Sequence, residues 1–161
     1  MRKQRKSDMI SLENLATNFK PDGAEMKRKI AIVQGSKSDD RLGDICADVL
    51  EKYGIEFERF VISAHRDPEK LEKFCREADK EFSVIIAIAG LSAALPGIIA
   101  SRTTLPVIGV PADAGPLNGV DALLSIAQMP SGVPVANMGI GSSGAKNAAH
   151  LAARIISVWG G

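Results

Sequence analysis

Apolar residues fall in short dense runs, separated by stretches in which they recur every three or four positions. Ile30-Ala31-Ile32-Val33, closed by Gly35, reads as a buried strand over about Lys29 to Val33. Leu42, Ile45, Cys46, Val49 and Leu50 then recur at helical spacing and predict a helix from about Asp39 to Tyr53, stopped by Gly54. Ile55 to Ile62 alternates, with Ile55, Phe57, Arg59 and Val61 on one face of a second strand. Asp67-Pro68 opens a second helix carrying Leu71, Phe74, Cys75 and Ala78. The most apolar run, Ser83 to Gly90, is the expected central strand. It opens into a loop over Leu91 to Gly97 and a short helix, Ile98 to Ser101. Leu105 to Pro111 is a fourth strand, and Gly119 to Ala127 a helix after the loop Ala112 to Asn118. Val133 to Met138 is a fifth strand, and Ala145 to Val158 a terminal helix after the glycine–serine loop Gly139 to Gly144.

Strand and helix alternate five times. That pattern implies an α/β fold, a single three-layer doubly wound parallel sheet, and the number and lengths of its elements fit the flavodoxin-like order 2-1-3-4-5. No period repeats, which excludes a solenoid. Residues 29–161 form the expected catalytic domain. Residues 1–28 differ: charge is dense, apolar residues are sparse and Pro21-Asp22-Gly23 is a turn signal. We expect a mobile or peripherally docked extension, with room for two helical turns through Ile10, Leu12, Leu15 and Phe19.

Composition narrows the function classes. With 161 residues, 45% apolar and 24% charged, the chain suits one ordinary globular domain. A net charge of +1 and an aromatic content of 4% argue against nucleic-acid partners, and no apolar run is long enough to span a membrane. Cys46 and Cys75 lie on predicted helices without metal-ligand or redox spacing. They read as buried free thiols of a cytoplasmic protein.

The candidate chemistry sits where strands end. Gly35-Ser36-Lys37-Ser38-Asp39 follows the first strand, Ser63-Ala64-His65-Arg66 the second, and Ala89-Gly90 to Leu95-Pro96-Gly97 the third. In the order 2-1-3 these strands are neighbours, so their loops converge on one crevice at the switch point. Gly35 permits close backbone approach, and Ser36 and Ser38 offer hydroxyls to a phosphate-bearing small molecule. Asp39 can accept from ribose hydroxyls; Ser38 or Asp39 can equally be a plain helix cap. Arg66 can grip a phosphate through two donors. His65 is the side chain of these loops whose type exchanges protons near neutrality, and a structural histidine near a helix start is the alternative. His150, on the terminal helix, has no such company. The chain lacks the nucleophile elbow, the P-loop, a dinucleotide fingerprint after strand one and any metal-ligand spacing.

Six ordered motifs resemble the PurE proteins of purine biosynthesis: Gly35-Ser36-Lys37-Ser38-Asp39, Ser63-Ala64-His65-Arg66-Asp67-Pro68, Ala89-Gly90 with Leu95-Pro96-Gly97, Pro106 to Pro111, Gln128 to Pro134, and Asn147-Ala148-Ala149. The resemblance runs from about Lys29 to the end. It implies carboxylation at C-4 of 5-aminoimidazole ribonucleotide, without metal, biotin, ATP or any other cofactor. One class is a mutase that moves carboxylate from the exocyclic nitrogen to C-4; the other uses CO2 directly. By the same resemblance His65 is the general acid/base. Ser36, Ser38, Asp39, Ser63, Ala64 and Arg66 bind the ribonucleotide, and Ala89, Gly90 and Leu95 belong to the loop that confines CO2. The family implies a homo-octamer with terminal helices reaching neighbours, a role for which Leu151, Ile155, Ile156, Val158 and Trp159 are apolar enough. One departure stands out: many mutases carry a histidine where this chain has Ala94, while the direct carboxylases carry a serine near Ser92.

Overall fold

The computed structural model describes residues 28–159, and of Trp159 the backbone only. The expectations for residues 1–27, and for the Trp159 side chain, lie outside the described residues. The five strands are β1 (Lys29–Gln34), β2 (Glu56–Val61), β3 (Val84–Ala89), β4 (Val107–Pro111) and β5 (Ala136–Asn137). They form one sheet in the order β2-β1-β3-β4-β5, parallel throughout, as the alternation of elements predicts. The helices are α1 (Asp40–Lys52), α2 (Pro68–Glu81), α3 (Ala94–Ala100), α4 (Val120–Ala127) and α5 (Gly141–Trp159).

Strand periodicity divides the core in two. Ile30 and Ile32 of β1 with Val84, Ile86 and Ile88 of β3 face α1 and α5, which bring Leu42, Cys46, Leu50, Ala148 and Ala152 against them. Ala31, Val33, Ile85 and Ala87 face the other way, onto Leu71, Phe74 and Cys75 of α2, Ile99 of α3 and Ile126 of α4. All six residues of β3 are buried, and its isoleucines each contribute roughly 1.5–3 kcal/mol of apolar burial. Both cysteines are free and buried. Burial pushes the Cys46 thiol up to about 12, and Cys46 donates to the Ala145 carbonyl at 3.3 Å; burial likewise pushes Cys75 up to about 11. Neither thiol therefore reacts with Ellman's reagent in the folded protein at pH 8, whereas both titrate in guanidinium. Labelling of the native state in stoichiometric amount would contradict this burial.

Three elements differ from expectation. α3 starts at Ala94, not Ile98, because Pro96 is its third residue and proline is tolerated in a first helical turn. α5 starts at Gly141, not Ala145. Gly139 and Gly141 adopt φ values of +88° and +70°, which turn the chain directly from β5 into the helix, so the expected loop is mostly helix. β5 is only two residues long: it is an edge strand, and Pro134 has no N–H to give to a ladder. α2 starts at Pro68 as the sequence predicts, although the Asp67 side chain makes no capping hydrogen bond.

Candidate active site

The loops after β1, β2 and β3 leave the same edge of the sheet side by side. Gln34 pairs with Val61 on one side and Ile88 on the other. The Gly35 N–H donates to the Ile88 carbonyl and the Ile62 N–H to the Gln34 carbonyl, both at 2.9 Å, so the ladder holds rigidly up to the mouth of the crevice. A Cβ built on Gly35 would lie 3.7 Å from Asp39 Oδ2 and 3.8 Å from the Ala89 methyl, which puts the first and third loops in contact. Gly90 in turn abuts Ala112 and Ala114 of the loop after β4.

Within the first loop, Lys37–Asp39 is a single 3-10 turn closed by a capping box. Ser36 caps this turn, while Asp39 stands at the N-cap position of α1, as the helix-cap alternative expects, although its side chain makes no capping hydrogen bond to that helix. Ser36 Oγ accepts from the Ser38 N–H at 3.3 Å, and Asp39 Oδ2 accepts from the Ser36 N–H at 3.0 Å. Ser36 is half-buried and Ser38 exposed. Asp39 is only 6% exposed, and that burial raises its carboxyl above the usual range, against the opposing Ser36 hydrogen bond. One carboxylate oxygen, Oδ2, is thus used in the turn.

At the tip of β2, Ser63 is buried and organises the next turn. Its Oγ accepts from the Arg66 N–H at 3.2 Å and from Arg66 Nε at 3.3 Å, so the guanidinium is held back on its own turn. Ala64 is half-buried; His65 and Arg66 are exposed, and His65 is not part of the packed interior. In the third loop Ala89 is buried, Gly90 half-buried and Leu95 packed into the core on the α2 side. Leu95 therefore has only its backbone to present to the crevice. The loop contains two non-glycine residues with left-handed backbone, Leu91 (φ 54°) and Ala93 (φ 33°), a strain of order 1–3 kcal/mol each that surrounding contacts must hold.

Five further side chains, Arg41, Asp113, Ser142, Gln34 and Arg59, tie this edge together. Arg41 of α1 donates to Asp113 Oδ1 at 2.5 Å and to Ser142 Oγ at 2.6 Å, tying α1 to the loop after β4 and to the first turn of α5. Gln34 and Arg59 join behind the first loop. The one signal in the sequence is Arg59 itself, a charge on the face of β2 that otherwise carries Ile55, Phe57 and Val61. His150 lies elsewhere: its Nδ1 is 2.9 Å from the Tyr53 hydroxyl, with the rings edge to face. A cavity of about 460 Å3 beside Tyr53, Ile55 and Arg154 opens at the amino ends of the strands and includes none of the candidate residues.

The family model described as AIR carboxylase matches residues 29–159, nearly all of the chain outside the N-terminal segment. The chain belongs to the AIR carboxylase family. Among its relatives, the N5-carboxyaminoimidazole ribonucleotide mutase of Saccharolobus solfataricus is 52% identical over 131 residues, 81% of this chain and 82% of the relative. The mutase of Escherichia coli K12 is 48% identical over 130 residues, 80% of this chain and 77% of the relative. The crystal structure of Treponema denticola PurE superposes with a TM-score of 0.71 at 33% identity, covering 81% of each chain. Family membership agrees with the placement of the three PurE-like loops on one edge of the sheet.

Proposed function

We propose that this AIR carboxylase family member is an N5-carboxyaminoimidazole ribonucleotide mutase of purine biosynthesis, working in the cytoplasm. The observation that carries this reading is the convergence of the Ser36–Asp39, Ser63–Arg66 and Ala89–Leu95 loops at the carboxyl ends of three adjacent parallel strands. The ribose phosphate lies against Ser36, Ser38 and Arg66, with a ribose hydroxyl on Asp39. The N–CO2 bond breaks as His65 gives its proton to the exocyclic nitrogen. CO2 stays in the pocket under the Ala89–Leu95 loop, where confinement replaces a bimolecular encounter. C-4 then bonds to CO2, and His65 recovers the proton that C-4 loses, so the reaction is a balanced isomerisation.

The test is an assay of purified protein with N5-carboxyaminoimidazole ribonucleotide against aminoimidazole ribonucleotide plus bicarbonate. Turnover of the first substrate alone is expected. Ser92 and Ala94 favour the alternative, direct carboxylation, and preference for the second pair would establish it; activity on neither rejects the enzyme reading. Arg66→Ala should raise KM roughly ten- to a hundredfold, because a hydrogen bond to a charged group is worth ~1.5–3 kcal/mol. An unchanged KM would place the phosphate elsewhere.

We propose a homo-octamer as the working assembly. Leu151, Ile155 and Ile156 of α5 pack on the chain's own core, so they are not the free surface the sequence suggests. Among the described residues, exposed apolar side chains include Leu117 just before α4, Val120 and Leu124 of α4 and, separately, Val158 near the end of α5 at 77% exposure. Native mass spectrometry reads the stoichiometry directly.

A further inference from the structure

The segment Ser36–Asp39 is short, polar and exposed at its tip, yet the proposed reaction needs it in one geometry. Something must hold both of its ends. Gln34, the residue before Gly35, is fully buried at the end of β1. Its Nε2 donates to Asp40 Oδ1 at 2.7 Å, and Asp40 is the residue directly after the segment. The side chain of the residue entering the loop thus bonds the side chain of the residue leaving it. Gln34 Oε1 accepts from Arg59 Nη2 at 2.9 Å and Nε at 3.1 Å, and Arg59 Nη1 reaches Asp44 Oδ1 at 2.5 Å. Arg59 belongs to β2, whose next residues lead into Ser63–Arg66. Gly43 makes room for this: a Cβ there would stand 2.4 Å from Gln34 Oε1 and 2.7 Å from Arg59 Nη2.

We propose that Gln34, with Arg59 and Asp40, is the positioning device of the ribonucleotide-binding edge. It closes the first loop at its base and couples that base to the strand bearing the second loop. The buried amide cannot turn over without placing its NH2 group against the guanidinium and its oxygen against the Asp40 carboxylate, so the network has one polarity. These residues touch no reacting atom. Their loss misplaces groups that hold substrate and transition state alike, and the expected signature is a raised KM with little change in kcat. This rests on the reading of Ser36–Asp39 and Arg66 as ligand groups.

The experiment uses the full-length chain and N5-carboxyaminoimidazole ribonucleotide, with Tm recorded for each variant. Gln34→Glu keeps the acceptor for Arg59 but sets a carboxylate against Asp40; it should raise KM about tenfold with kcat within about twofold. Adding Asp40→Asn supplies a donor to that carboxylate, reverses the polarity of the bond, and should return KM to within about threefold of the parent. Gln34→Met removes the polar group without adding charge and carries the test if Gln34→Glu does not fold. Folded single variants with parental KM, a loss confined to kcat, or failure of the double variant to recover would overturn the proposal. Arg66→Ala serves as the reference: if it leaves KM unchanged, the reading of the cleft fails and the positioning role falls with it. If it raises KM and the Gln34 variants do not, only the positioning role fails.

Discussion

His65→Asn should lower turnover by about a thousandfold or more while leaving the fold and substrate affinity close to those of the parent. General acid–base catalysis contributes roughly 10²–10⁴ to a proton-transfer step, and the proposed isomerisation uses the same imidazole in both of its halves. Asparagine occupies similar space and can donate a hydrogen bond, but it does not exchange a proton near neutrality. His65 is exposed on the turn between Ile62 and Asp67, outside both apolar clusters, so the substitution should cost no more than a few tenths of a kcal/mol of stability. Stopped-flow or coupled turnover measurements with calorimetric titration of the product separate the two effects. A variant retaining a tenth of parental kcat would remove His65 from the chemistry.

The largest structural effect is expected from Gly144→Ala. A Cβ at this position would stand 1.8 Å from the Gly139 carbonyl oxygen and 3.4 Å from that of Met138. The obstacle is backbone, so no side-chain rotation relieves it, and the turn from β5 into α5 must open. That turn carries Gly139 and Gly141 in left-handed conformations, and Gly141 lies against Asp113. Opening it also pulls Ser142 from Arg41. We expect a loss of about 3 kcal/mol or more, the upper end of overpacking costs. For a domain of this size that lowers Tm by roughly 6–12 °C. A Tm within 2 °C of the parent would show that the turn accommodates a methyl group at this position.

The two substitutions differ in how far the chain itself foretells them. His65 stands out in the sequence because it sits in a short polar segment directly after an alternating strand, and only residue type and order are needed to find it. Gly144 lies in a run of glycine and serine that reads as a flexible loop. Its meaning appears only when Gly139 folds back over it, which makes most of that run the first turn of a helix. Asp39 is intermediate. Its place at the end of β1 marks it as a candidate ligand, but its bond to the Ser36 N–H and its burial emerge only from the closed turn.

The order of apolar runs along the chain was enough to determine a parallel five-stranded sheet with strands in the order 2-1-3-4-5, and so which loops share an edge. Periodicity carries that information because a strand buried on both faces and a helix buried on one require different spacing of apolar residues. Tertiary structure alone decided how that edge is held. Arg59 meets Gln34 across 25 residues, and Arg41 meets Ser142 across 101. Such bonds depend on the approach of separate backbones, and nothing in local spacing encodes that distance.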